Sequence, residues 1–436
     1  MKTRIILLCA AATIAMPNAA LAQTASDDVA AMRAEIDALK KQISALSVKV
    51  EDSAKAAAKK GNTEVKWKGA PELEGEGGWT FKPRGRILYD AAIVSAPDAI
   101  SDRGLGFSNE LRRARLGVEG NIPGGFGYKF EVDFAEANTE LTDAFLTYKD
   151  KDLTVTVGQH NNFQSLEELS SSNDTSFLER AAFTDAFGFE RRAGISAQYK
   201  IGTVLAQAGL FTDNISDLRN DENNAVGLDG RLVFMPKLGN TQLHLGASYH
   251  WRDLGDAISA VQYRHRPLVH TTDTRFIDTG SLSGATSETG YGLEAAIISG
   301  RFHAAAETYW QKVRRTGLAN PGFFGGSFEA GVFLTDDTRV YKDGIFKSTK
   351  VKNPVGKGGF GALQFNVRYD RLDLNDGTVI GGIQNGYMAS LIWTPIEYVR
   401  FMVNFAKLDY TDARIAAGTD RDYTVDTVGA RAQITF

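Results

Sequence analysis

Basic side chains sit at every second position where the chain first becomes aromatic. Lys82, Arg84 and Arg86 share one side of an extended segment whose other side carries Phe81, Pro83, Gly85, Ile87 and Tyr89. Alternate residues of a strand point to one face, so the three cations form a row. A second row puts Arg113 and Arg115 with Gly117 and Glu119, opposite Ala114, Leu116 and Val118, and Arg112 falls at the start of that strand, near a rim. The same alternation adds Arg192, Arg231, Arg252, Arg264, Arg266, Arg368 and Arg431. A guanidinium is a planar fork that matches an oxyanion, and a row of them offers successive sites, each weak enough to release its ion. Glu119, Glu131, Asp133, Asp229 and Asp370 leave open a plainer reading, in which charges of both signs only keep a surface wet.

Other chemistries have less to stand on. His160, His244, His250, His265, His270 and His303 show no H-x-x-x-H spacing and no triad order, and the glycines of 356–361 lack a following helix and a Lys-Ser/Thr pair. No enzyme activity, cofactor or metal is expected. The one cysteine, Cys9, lies in a leader, which removes thiol ligands, thiol nucleophiles and disulfides from the mature chain. Without Lys2 and Arg4 the formal charge moves from −4 to −6, whereas nucleic-acid binders lean basic.

The elements that hold the arginines follow from hydropathy. Phe126, Tyr128, Phe130, Val132 and Phe134 alternate with Gly127, Lys129, Glu131, Asp133 and Ala135, and similar segments recur at 153–157, 193–199, 243–251, 363–369, 387–393, 401–405 and 428–436. From Trp79 to Phe436 there is room for about 16 such strands, more than one soluble sheet usually holds. Closure into a membrane barrel removes the edges and explains the low mean hydropathy. The expected class is therefore all-β, a transmembrane antiparallel β-barrel of about 16 strands with a short N-terminal coiled-coil helix. A charge facing lipid at mid-bilayer costs about 2–4 kcal/mol, so the basic rows must face the lumen or a rim. Trp79, Phe81, Tyr249, Trp251, Tyr309, Trp310, Tyr387 and Trp393 cluster near strand ends, where interfacial girdles belong.

Ahead of the barrel, Lys2 and Arg4, an apolar run from Ile5 to Met16 and Ala20-Leu21-Ala22 read as a signal peptide over 1–22. Val29, Met32, Ile36, Leu39, Ile43, Leu46 and Val50 then repeat at three- and four-residue spacing, the a and d positions of a coiled coil over 23–60. Residues 61–78, rich in glycine and glutamate, read as a linker, and 79–436 as the barrel. The irregular stretch 161–190 is too long for a turn and is expected to fold inward and narrow the lumen.

Within that stretch, Gly158-Gln159, Ser165-Leu166-Glu167-Glu168 and Glu179-Arg180 resemble the third-loop signature of the phosphate- and polyphosphate-selective porins, the outer-membrane porins O and P. The likeness extends to Leu111 through Gly117, to Phe333-Leu334-Thr335 with Arg339 and Tyr341, to Arg368-Tyr369 with Arg371-Leu372-Asp373, and to Val428 through Phe436. It implies a trimeric outer-membrane channel with an arginine ladder that would include Arg112, Arg113 and Arg115, and a constriction loop that would carry Ser165 and Arg180. One departure bears on the solute. Many relatives have a lysine-proline pair before the Ser-Leu-Glu-Glu segment, where this chain reads His160-Asn161-Asn162-Phe163-Gln164.

The expected function is passive diffusion of small anions, phosphate or polyphosphate first, with a general or polar-solute porin, or an envelope anchor acting through its coiled coil, as alternatives. Expected partners are inorganic phosphate or other small anions, outer-membrane lipid, two further copies in a homotrimer, the barrel assembly machinery and peptidoglycan, but no nucleic acid. The coil would lie in the periplasm.

Overall fold

The computed structural model describes residues 22–58, 64–135, 139–216 and 224–436. The leader expected over 1–22 lies outside these, apart from Ala22. Two units separate, Met1–Thr63 and Glu64–Phe436. In the first, α1 spans Ala22–Ala58. Its seam residues Ile36, Leu39, Ile43 and Leu46 are exposed in the single chain.

The second unit is a closed antiparallel barrel. Its sixteen wall strands are β1 Thr80–Ser95, β2 Gly106–Ile122, β3 Phe126–Asp133, β4 Glu140–Asp150, β5 Leu153–Asn161, β6 Arg191–Ile201, β7 Val204–Phe211, β8 Val226–Phe234, β9 Thr241–Asp253, β10 Ala285–Ser299, β11 Phe302–Arg315, β12 Gly322–Phe333, β13 Ala362–Asp376, β14 Val379–Ile396, β15 Val399–Thr411 and β16 Tyr423–Thr435. Each pairs with its neighbour in sequence, and β16 returns to β1 with Asp426 opposite Ser95 and Thr435 opposite Arg86. Alternation sets the two faces. On β15, Phe401, Val403 and Phe405 are exposed while Met402, Asn404 and Ala406 are buried. The outward residues are apolar on strand after strand, as a lipid-facing surface requires.

The register holds two departures from the sequence reading. Between β1 and β2, Leu88 faces Arg113 but Tyr89 faces Leu111, so Arg112 is the extra residue of a β-bulge inside the strand and not a rim residue. The bulge turns Arg112 and Arg113 both toward the lumen and moves Leu111 to the lipid side. Residues 61–78 are not a plain linker. Glu64–Trp67 and Pro71–Glu74 form a hairpin that pairs onto β1, with Leu73 opposite Phe81.

The lumen is largely filled. From the end with long loops come 162–190, carrying two short helices, α2 Leu166–Leu169 and α3 Ala182–Ala186, and 254–284. From the short-turn end comes 334–361, with a hairpin of Val340–Lys342 and Ile345–Lys347. Phe177, Phe183, Phe187, Phe189, Tyr263, Leu268, Val269 and Phe276 make an apolar core with Tyr309, Met388 and Leu408 of the wall. Their rings meet edge to face, Phe187 on Tyr263 at 5.5 Å and Phe189 on Tyr309 at 4.7 Å.

Gly325 of β12 shows how closely the first loop seats. A Cβ there would stand 2.2 Å from Cβ of Phe183. Gly325→Val is therefore expected to lift α3 off the wall. Limited proteolysis should cut 162–190 faster in this variant than in the parent while the barrel strands stay protected.

Candidate pore constriction

Two chambers border the loop 162–190 where it approaches β1 to β6. The outer is bounded by Arg112, Arg113, Glu140, Glu168, Glu179, Arg180, Asp185, Arg191, Arg266 and His270. The inner is bounded by β1 to β6, the loop 162–190 and the hairpin at Ile345 and Lys347. Arg113, Arg180 and Arg191 line both chambers and so stand at their common boundary.

Their surroundings differ. Arg191 donates to Asp143 at 2.6 Å, and Lys129 holds the same carboxylate at 2.5 Å. Arg180 donates to the carbonyls of Glu167, Glu168 and Ser170 at 3.0, 3.1 and 2.9 Å, and pairs with Glu168 at 3.2 Å. It thereby closes the end of α2 as well as facing the path. Arg113 has no hydrogen-bond or ion-pair partner among the described residues, and its Nε is buried without one. An unpaired guanidinium bordering both chambers is the group best placed to exchange ligands.

Most other expected ladder positions face inward but are neutralised. Arg84 pairs with Glu119 at 2.6 Å near the short-turn mouth, and Arg86 with Glu131 at 3.0 Å. Arg115 holds Asp133 at 2.7 Å and Glu131 at 3.2 Å. Arg112 grips Glu179 through two bonds of 2.9 and 3.1 Å and ties the loop to β2. Burial alone would raise the Glu179 carboxyl, but Arg112 outweighs it and holds the group well below the usual carboxylate range. Arg192 sits toward the outer end with Glu190 at 2.9 Å.

Three expected site residues serve the architecture instead. Arg231 is sealed against Glu294 at 2.6 Å and donates to the Gly344 carbonyl, holding the hairpin. Arg368 bridges Glu167 at 2.5 Å and Glu329 at 2.7 Å, fastening the loop to β12 and β13. The Ser165 hydroxyl donates to Glu307 at 2.8 Å and accepts from the Glu167 and Glu168 amides as the cap of α2, which leaves it nothing to offer an ion. Arg264 and Arg266 belong to the loop 254–284 and not to a wall strand.

Sequence reasoning missed Arg191, Lys129, Asp143 and Lys347. Lys129 carried a usable signal, since it shares the inward alternation of Glu131 and Asp133, whereas Arg191 has the parity of the exposed Ile195 and Tyr199 and carried none; Lys347 reaches the chamber only because 334–361 folds up into the barrel.

The chain matches the family described as phosphate-selective porin O and P over residues 81–436. An uncharacterized protein of Caulobacter vibrioides is 46% identical to it, across 100% of this chain and 96% of that one. Among solved structures, OmpT, an outer membrane protein of Vibrio cholerae, is similar at a TM-score of 0.53 and 11% identity, covering 82% of this chain and 98% of its own. An anion-selective porin from Comamonas acidovorans is similar at 0.52 and 13% identity, covering 82% and 100%. The outer membrane channel DcaP of Acinetobacter baumannii follows at 0.50 and 16%, covering 83% and 99%. At such identities these three speak for the fold alone, a closed barrel of the outer-membrane porin kind. With a match spanning the entire barrel, the chain belongs to the phosphate-selective porin O and P family and is an outer-membrane porin.

Proposed function

We propose that this porin passes small oxyanions, inorganic phosphate first among them, by passive diffusion, and that Arg113, Arg180 and Arg191 form its filter. The lining of the inner chamber carries the reading. Among the described residues it sets seven cations, Arg86, Arg113, Arg115, Lys129, Arg180, Arg191 and Lys347, against one carboxylate, Asp143. The carboxylates that pair with Arg86, Arg115 and Arg180, namely Glu131, Asp133 and Glu168, are buried and do not line it. An anion entering meets the cations first, and charge at the narrowest ring sets selectivity whatever the net charge of the chain. In planar bilayers with a KCl gradient, the zero-current potential should have the sign of chloride permeation, and added phosphate should reduce the chloride current. A cation-sign potential would sink the proposal. A potential near zero without phosphate block would favour the general porin.

We further propose that three copies associate and that their α1 helices close over one another through Ile36, Leu39, Ile43 and Leu46. These four apolar side chains are exposed along one helix, and in water such a seam favours burial against a like one. The heptad alone, with isoleucine at a and leucine at d, favours two strands in isolated peptides. Barrel walls offer far more area than about three heptads, so they set the number. Deleting 23–60 should leave single-channel conductance unchanged and lower the temperature at which the trimer dissociates. A dimer mass in mild detergent would refute three-fold assembly.

A further inference from the structure

We infer that the hairpin of residues 64–74 is a membrane-interface anchor, whose apolar face lies in the periplasmic leaflet of the outer membrane. Alternation divides it cleanly. Val65, Trp67, Pro71 and Leu73 share one face by register, and Glu64, Lys66, Glu72 and Glu74 the other. Leu73 stands opposite Phe81, which points away from the lumen and begins the lipid-facing row of β1 that continues through Ile87, Tyr89 and Ile93. The apolar face of the hairpin is thus continuous with the lipid-facing belt. Trp67 is 74% exposed and Val65 57%. On the charged face Lys66 bridges to Glu74 at 2.7 Å.

The location fits the same layer. β1 begins and β14 ends at the short-turn end of the barrel, which is the periplasmic end of such proteins. At the hairpin tip, Gly69 with φ of +83° closes over the Tyr398 ring in the β14–β15 turn, where a Cβ would come within 2.5 Å of that ring. The tip is held to the rim and does not swing free. Tryptophan favours the boundary between headgroups and acyl chains, because its ring is apolar and its N–H needs a polar partner. Trp79, 51% exposed just before β1, adds a second such ring at this end.

The test is depth-resolved quenching of the full-length protein in phosphatidylethanolamine–phosphatidylglycerol vesicles, with nitroxide-labelled lipids carrying the label at headgroup level or at the chain end. The Trp67 signal is the difference between the parent and Trp67→Phe. Headgroup-level nitroxide should quench this signal several-fold more than chain-end nitroxide or aqueous acrylamide does. Acrylamide quenching like that of free tryptophan would place the hairpin in water and overturn the inference. Quenching by neither agent would place it against protein, such as another copy, and overturn it equally. A dye on Val65→Cys, in a chain without Cys9, should give the same depth ranking and keeps the test standing if Trp67→Phe folds poorly.

Discussion

Replacing Arg113 by glutamate is expected to turn an anion-preferring channel into a cation-preferring one, seen as a change in sign of the zero-current potential across a KCl gradient. One charge about 6 Å from a permeating ion changes its energy by about 0.7–3 kcal/mol for an effective dielectric between about 80 and 20. Arg113→Glu alters the site by two charges, so the anion-to-cation ratio should fall by at least about tenfold. Arg113 is the group to change because its guanidinium makes no hydrogen bond or ion pair among the described residues, so its replacement breaks none. Arg113→Met, which removes one charge and adds none, should give a shift between the two. An unchanged potential in Arg113→Glu would move the filter away from the boundary of the chambers. Arg180→Ala is a poorer probe than its place on the loop suggests, since the side chain also closes α2 through three carbonyls.

Arg368→Met should detach the constriction loop while leaving the barrel standing. Arg368 is buried between Glu167 of the loop and Glu329 of the wall. Without the cation two carboxylates face one another in a place water barely reaches, and losing one partner of a buried pair costs about 3–5 kcal/mol. The wall strands keep their ladder, so the cost falls on the loop. Expected readouts are faster proteolysis within 162–190, larger single-channel conductance and weaker block by phosphate. Adding Glu329→Gln should restore part of the block by removing one of the stranded charges. Unaltered conductance and protease resistance in Arg368→Met would show that the contacts of Glu307 and Arg112 hold the loop unaided.

The strand alternation was plain in the sequence because lipid outside and ions inside demand opposite residue types at successive positions. That is why Arg84, Arg86, Arg113 and Arg115 could be put on inward faces without coordinates. Partners were not legible. The carboxylates that neutralise Arg112, Arg231 and Arg368 lie 39 to 201 residues away along the chain, and only closure of the barrel and the inward fold of 162–190 bring them into reach. The bulge at Arg112 is another product of register, since one added residue leaves no mark on a short alternating pattern. Arg264 and Arg266 alternate like a wall strand, yet they belong to a loop that packs inside the barrel. The glycines and glutamates of 61–78 suggested a linker, but Val65, Trp67 and Leu73 alternate with Glu64, Lys66, Glu72 and Glu74, and the same letters also spell a two-faced hairpin.

The apolar core inside the lumen has a thermal consequence. Outward residues of a barrel exchange one apolar surrounding for another when they meet lipid, so wall stability owes little to water. Phe177, Phe183, Phe276 and Leu268, by contrast, are buried by loops that would otherwise lie in aqueous solution. Releasing them exposes apolar surface to water, and such exposure carries a positive heat-capacity change. The loops and the wall therefore answer differently to temperature. Cooling weakens the drive that holds 162–190 and 254–284 together and leaves the wall ladder nearly untouched. Channel noise arising from loop movement should accordingly pass through a minimum at an intermediate temperature and grow toward both cold and heat.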